Sequence, residues 1–224
     1  MDCPAGTISA MSSADQCADA IPYAAAELGE FPAGTVAGWF SVREKLGRAC
    51  WVAVESTMFR FSPKRADGFR AWLLRCFGAR IEGRPEVLRR TVRIEVPWNI
   101  EFGERVQIGD HARLYSLGTI RIGAHSVISQ YAHVCAGTHD YSDTEFPLRR
   151  VPITVGRWCW IATDVYIAPG VCIADGVVVG ARSNVVKDLP AWTVCVGSPA
   201  KAVRHRPLVD RSTGCRLDPG GPAA

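Results

Sequence analysis

No C-x-x-C pair occurs among the nine cysteines of this chain, and their number is odd. Both facts argue against a zinc ribbon and against a complete disulfide framework. Reduced thiols in a cytoplasmic setting are the simpler expectation. A long apolar run is also missing. The most apolar stretch, Ala49 to Phe61, is interrupted by Glu55 and Arg60 and is too short to cross a bilayer. Residues 1–19 carry acids and no apolar core flanked by Lys or Arg, unlike a secretory leader. Charge of one sign is scarce: 26 Lys and Arg against 22 Asp and Glu leave +4 over 224 residues. The hydrophobic share of 48% is ordinary for a globular protein and supplies a core.

Organisation along the chain is uneven. Residues 1–35 are rich in Ala, Ser, Gly and Pro without a period and read as a poorly ordered tail. Residues 207–224, with Gly214, Pro219, Gly220, Gly221 and Pro222, read as a second loose tail. Residues 36–80 read as a helical appendage. Phe69, Trp72, Leu73, Cys76 and Phe77 follow helical spacing, and Gly78 is a natural stop. An earlier helix is expected from about Gly38 to Thr57, broken by Ser62 and Pro63.

From residue 81 to about 206 the period changes to six. One ladder runs Val155, Ile161, Ile167, Ile173, Val179 and Val185. Another runs Ile108, Leu114 and Ile120, then slips by two and resumes as Ile122, Ile128 and Val134. A weaker one is Ile94, Ile100 and Val106. Six fits neither a helix nor a simple strand. It fits a mainly β solenoid with three short faces and about 18 residues per coil. Four positions after a ladder residue stands a smaller one, such as Ala112, Ser126, Ala132, Cys159 or Ser183, as a narrow corner requires. Several ladder residues precede Gly (Gly109, Gly123, Gly156, Gly180), which would relieve the backbone at tight turns.

The register breaks between Val134 and Val155. The ejected segment contains Thr138-His139-Asp140-Tyr141-Ser142-Asp143 and Phe146-Pro147-Leu148-Arg149-Arg150. Polar loops leaving a regular wall commonly carry function. His139 is the histidine of that segment; an unplaced histidine is more often a solvated one.

The ladder, Thr138-His139-Asp140-Tyr141, Trp160-Ile161-Ala162, Ile167-Ala168-Pro169-Gly170 and Val196-Gly197-Ser198-Pro199-Ala200-Lys201 together resemble the hexapeptide-repeat acetyltransferases. The helical segment and Pro97-Trp98-Asn99 look like the colanic acid biosynthesis branch, within exopolysaccharide pathways. The likeness covers roughly residues 36–206. It implies a left-handed parallel β-helix, a homotrimer, acetyl-CoA as donor and a sugar or lipid-linked glycan as acceptor. Handedness comes from the resemblance alone, since ordinary crossovers are right-handed.

An acetyl thioester is already activated, so the enzyme must position two substrates and deprotonate a hydroxyl. Imidazole suits the second task. The resemblance gives His139 that role, with Asp140 or Asp143, or a backbone carbonyl, orienting its ring. Ser116 stands where relatives usually have Asn, so its part in holding the acceptor is a catalytic candidate; Asn99 is a weaker one. The family's acetyl-CoA contacts carry over to Trp160, Thr163, Ala181, Lys187, Lys201 and Arg204. Ser198 and Pro199 look like the start of a short C-terminal helix that would bring Lys201 and Arg204 onto one face. His133 and His139 lack a third partner for zinc, so no metal is expected. Alternative readings are transfer to a free sugar, an amino sugar or a xenobiotic, or a non-catalytic scaffold.

Between Arg60 and Arg93 lie Lys64, Arg65, Arg70, Arg75, Arg80, Arg84, Arg89 and Arg90, against only Asp67, Glu82 and Glu86. With the neighbouring aromatics this basic face suits an anionic membrane surface. The plainer alternative is a helix pair covering the open end of the solenoid. No motif for nucleic acid accompanies the charge.

Overall fold

A computed structural model describes residues 36–37, 40–209 and 216–217. The two expected tails fall largely outside them. Within the second, Leu208–Val209 pairs antiparallel with Arg216–Leu217.

The six-residue ladder closes into a three-sided prism, a left-handed parallel β-helix of about six turns. The first face stacks Arg80–Ile81, Ile100–Phe102, Ile120–Ile122, Ile153–Val155 and Cys172–Ile173. The second stacks Val87–Leu88, Gln107–Ile108, Val127–Ile128, Trp160–Ile161, Val178–Val179 and Thr193–Val196. The third stacks Arg93–Ile94, Arg113–Tyr115, His133–Cys135, Tyr166–Ile167 and Asn184–Val185. Ladder residues point inward and the corner residues Ala112, Ser126, Ala132, Cys159, Val165, Val177 and Ser183 are buried with them.

The coil length is not uniform. Ile161 stacks on Val179, the expected 18 residues apart. Leu88 stacks on Ile108 and Ile108 on Ile128, 20 residues apart. The two extra residues lengthen the first face, where Ile120 and Ile122 are both buried on one strand. That is the slip in the sequence ladder.

The glycines after ladder residues act differently from the expectation. None of Gly109, Gly123, Gly156 or Gly180 has positive φ. They allow close stacking: a Cβ on Gly123 would stand 2.6 Å from the carbonyl carbon of Gly156, and one on Gly109 2.7 Å from the Gln130 nitrogen. The left-handed corners are instead held by ordinary residues, among them His111, His125, Tyr131, Trp158 and Trp192, with φ between 56° and 62°. Such a conformation costs about 1 kcal/mol or more per residue. Corner amides bonded to the preceding coil offset it, as from Trp158 to the Ala124 carbonyl at 3.0 Å. The exposed rings then stack, His111 on Tyr131 at 5.1 Å and His125 on Trp158 at 4.1 Å.

The appendage begins with a two-residue strand, Val36–Ala37, rather than a helix. Helix α1 spans Val42–Val54, starting four residues later than expected because Ser41 and Glu44 form a capping box there. It continues as a π-helical turn, Glu55–Phe59. Helix α2 spans Asp67–Cys76, and Gly78 follows with φ of 89°, the expected stop. These elements satisfy the open edge of the first coil. Trp51 Nε1 donates to the Ile94 carbonyl at 2.7 Å and Glu55 accepts from the Ile94 amide at 3.0 Å. Asp67 accepts from the Leu88 amide at 2.8 Å while Arg70 Nε donates to the Leu88 carbonyl at 2.5 Å. Arg75 donates to the Ile81 carbonyl at 2.9 Å. Unpaired strand edges are thus closed by side chains. The basic face is correspondingly smaller than the sequence suggests: Arg70 is wholly buried, and Arg80 and Arg89 pair with Glu101 and Asp110.

At the other end the expected short helix does not form. Lys201–His205 is a strand, antiparallel to Thr193–Val196. The open edge of the second face offers a full ladder of hydrogen bonds, which outweighs a weak capping signal at Ser198. Cysteines are mostly free as expected, including Cys135, Cys159 and Cys195. Cys172 departs from that expectation and is disulfide-bonded; an odd count excludes complete pairing, not a single bond. Among the described residues no helix is long and apolar enough to cross a membrane.

Candidate active site

His139 lies on the hairpin that leaves the third coil. Gly137–His139 pairs antiparallel with Leu148–Arg150, and Val36–Ala37 adds a third strand against Arg149 and Arg150. Gly137 is required at the exit, since a Cβ would meet Leu117 Cδ1 at 2.9 Å. Leu148 anchors the hairpin's base, packed with Val96 and Leu117 and flanked by Phe40, Trp98 and Tyr115.

The imidazole is exposed, and its Nδ1 lies 2.6 Å from the Phe146 carbonyl oxygen. A carbonyl only accepts, so Nδ1 carries the proton and donates it there. The Nε2 lone pair is left for an incoming proton. Of the three candidates for orienting the ring, the partner of Nδ1 is a backbone carbonyl and neither Asp140 nor Asp143. Asp140 is buried and turned away, accepting from Ser142 Oγ at 2.5 Å and from Arg149 at 2.8 Å. The Ser142 hydroxyl, and then Arg149, hold its carboxyl below the usual range. Its work is to brace the loop.

Arg150 leaves the opposite side of the same strand, as alternation dictates. It reaches Glu44 of α1 at 2.7 Å and lies 4.1 Å over the Phe40 ring, with Arg48 also against that ring at 4.2 Å. Burial pushes the Glu44 carboxyl up, but hydrogen bonds from Ser41 and Arg150 outweigh it and hold it low. The appendage therefore braces the His139 hairpin as well as the coil edge. Phe146, Arg149, Arg150 and Glu44 were not singled out from the sequence as supports. A backbone carbonyl leaves no sequence signal; the adjacent arginines in the ejected segment were the available one.

Ser116 does not face an acceptor. It is fully buried, and its Oγ both accepts from the Val96 amide and donates to the Val96 carbonyl, each at 2.9 Å. Its hydrogen-bonding capacity is used across two coils, so its candidacy for the acceptor rests on the resemblance alone. Asn99 is likewise turned to the backbone, donating to the Ser116 and Leu117 carbonyls at 3.0 and 2.7 Å.

The candidate acetyl-CoA contacts divide into three places. Trp160 is 49% exposed on the outer second face, its Nε1 donating to Ser129 Oγ at 3.1 Å. Trp160 stacks on Val178, Val178 on Val194 and Val194 on Arg204, one outward column. At roughly 4.8 Å per coil it spans about 14 Å. A register irregularity in the last pairing leaves Lys201 opposite Val196 and Arg204 opposite Val194. Both cations thus share the outer side, as expected, but by a bulge and not a helix. Thr163 and Ala181 occupy the corner between second and third faces one coil apart, joined by the bond from the Arg182 amide to the Thr163 carbonyl at 3.0 Å. Lys187 is exposed at a different corner, between third and first faces, the one from which the His139 hairpin leaves.

Cys159 and His133 are withdrawn by burial. Burial pushes the Cys159 thiol up to about 12, which removes it as a nucleophile. Burial, helped by Arg113, lowers the His133 pKa, and its ring packs edge-on against Tyr115 and Tyr166. Among the described residues no three His, Cys, Asp or Glu side chains gather as a metal site. A shallow depression of about 1060 Å³ runs beside the first face past Arg80, Glu101 and Trp158, and none of the site residues line it.

No family model matches the sequence. The putative colanic acid biosynthesis acetyltransferase WcaF of Escherichia coli K12 is 51% identical over 156 residues, 70% of this chain and 85% of that protein. The chain belongs to the hexapeptide-repeat acetyltransferases, in the colanic acid biosynthesis branch. Among solved structures, a hexapeptide-repeat acetyltransferase of Vibrio cholerae complexed with acetyl coenzyme A superposes with TM-score 0.67 at 24% identity. The match covers 74% of this chain and 90% of that one. A galactoside acetyltransferase in complex with coenzyme A gives 0.59 at 23%, covering 83% and 91%. These two likenesses speak for the fold.

Proposed function

We propose that the protein transfers the acetyl group of acetyl-CoA to a sugar hydroxyl of an exopolysaccharide under assembly, with His139 as general base. The observation that carries this reading is the His139 ring, held by the Phe146 carbonyl with Nε2 directed away from that bond. Nε2 takes the hydroxyl proton as the oxygen attacks the thioester carbonyl carbon. The carbon–sulfur bond then breaks, and the leaving thiolate recovers the proton from the imidazolium. Base assistance of this kind contributes about 10²–10⁴-fold. The step as drawn needs no metal and no acyl-enzyme.

The separation of these contacts supports a homotrimer. On one chain the His139 hairpin and Lys187 occupy the corner between third and first faces, whereas the Trp160–Arg204 column runs on the second face. A neighbouring copy that brings its column to this chain's hairpin completes a seam in which the thioester meets the imidazole. There the neighbour's Lys201 and Arg204 and this chain's Lys187 would serve the phosphates. An acetyl-CoA donor supports a cytoplasmic setting for the reaction.

Thiol release from acetyl-CoA with a panel of sugars tests the reading. Release that depends on a sugar and is lost in His139→Ala, with the assembly intact, is expected. Release equal in both proteins would sink His139 as the base; none with any sugar would sink the transferase reading and favour a scaffold.

A further inference from the structure

The end cap carries an outward surface that neither the coil edge nor the His139 hairpin uses. Met58, Phe61 and Trp72 are 50%, 80% and 53% exposed. Arg60, Lys64 and Arg65 stand between them along the chain, and none forms a salt bridge among the described residues. Arg70 ties the segment to α2, donating to Ser62 Oγ and the Pro63 carbonyl at 2.7 Å and to the Lys64 carbonyl at 2.9 Å. The cations and exposed apolar side chains therefore belong to one short stretch, residues 58–72, braced by Arg70. Asp67, the one acid between residues 56 and 76, is already paired with Arg70 at 3.0 Å.

We infer that this end of the prism docks on an anionic lipid bilayer and that the acceptor met there is a lipid-linked glycan. Aromatic and aliphatic side chains enter the headgroup region while cations hold anionic lipids, the combination peripheral anchoring needs. A second copy is a poor occupant, because it would set cations against cations. The geometry also fits the chemistry. The hairpin of His139 leaves two coils above the capped one, about 10 Å along the axis, within reach of sugars close to the headgroups. The acceptor part of the inference rests on the acetyltransferase reading; the docking part does not.

Flotation of the full chain with vesicles tests docking without any substrate. Binding to vesicles of about 30% phosphatidylglycerol in phosphatidylcholine should exceed binding to phosphatidylcholine alone and fall with salt. Lys64→Glu with Arg65→Glu should weaken it more than about 25-fold, at roughly fivefold per cation. Phe61→Ser with Trp72→Ser should weaken it at unchanged surface charge. Equal binding to neutral vesicles, or variants that bind like the parent, would overturn docking. Radiolabelled acetyl-CoA is then incubated with a lipid extract and, separately, with water-soluble polysaccharide from the same cells. Label in the lipid phase is expected. Label only in the aqueous polymer would overturn the lipid-linked acceptor. No label in either, with vesicle binding intact, would overturn the transferase reading and leave docking standing.

Discussion

Replacing Gly123 by alanine puts the stacking distance of the coils to the test. The new Cβ would stand 2.6 Å from the Gly156 carbonyl carbon and 2.7 Å from the Arg157 nitrogen. These are backbone atoms of the next coil and cannot swing aside. Ordinary contact begins near 3.4 Å, so the coils must part by about 0.8 Å at this corner. The Gly123 amide donates to the Val155 carbonyl at 2.8 Å. Stretched by that much, the bond leaves the hydrogen-bonding range. Losing one or two such bonds costs about 1 kcal/mol each, and overpacking adds about 1–3 kcal/mol. The expected loss is therefore about 2–5 kcal/mol. Gly68→Ala is the matched control. Its Cβ would meet only the Arg84 guanidinium, at 3.3 Å, on a side chain free to move. In helix α2 it should be neutral or stabilising by up to about 1 kcal/mol. Urea unfolding followed by tryptophan fluorescence gives both values at constant m. A Gly123→Ala midpoint indistinguishable from the parent, or an equal loss in Gly68→Ala, would refute the reasoning.

His139→Ala should lower kcat by about 10²–10⁴-fold with coenzyme A binding retained, as measured by calorimetry; a loss of binding instead would make the residue a ligand contact. Ser116→Ala should destabilise by about 1–3 kcal/mol through the stranded Val96 groups; a drop in kcat/KM at unchanged stability would restore it to the acceptor site. Asp140 and Glu44 both have lowered carboxyl pKa values in the fold. Their contribution is present above the unfolded value of about 4 and is lost as pH falls through the folded one. Thermal scans should show Asp140→Asn with Glu44→Gln flattening that acid limb. The lowered His133 value makes stability fall as pH drops below about 6.5, and His133→Gln should remove that slope.

The prism was legible because inward residues repeat every sixth position, and Val155 to Val185 keep that register without interruption. The two-residue slip at Ile120 and Ile122 was visible too, though not that it lengthens the earlier coils. Long-range edge satisfaction was not legible. The strand at Lys201–His205 follows from an unpaired ladder edge, and the sequence around Ser198 gives only the local signal. The surroundings of Ser116 were hidden for a related reason: its two partners are backbone atoms of Val96, twenty positions earlier. The His139 hairpin announced itself by breaking the ladder. The carbonyl that orients its ring and the Arg150–Glu44 tie became visible only with the chain folded.

Closing both ends of the stack has a consequence for assembly. A solenoid with bare terminal coils is a template on which further chains can add head to tail, without limit. Here Trp51, Glu55, Asp67 and Arg70 occupy the donors and acceptors at one terminus, and the returning strand at Lys201–His205 occupies the second face at the other. Head-to-tail addition loses its template at these edges, the kind of contact that builds a filament when its rotation does not close.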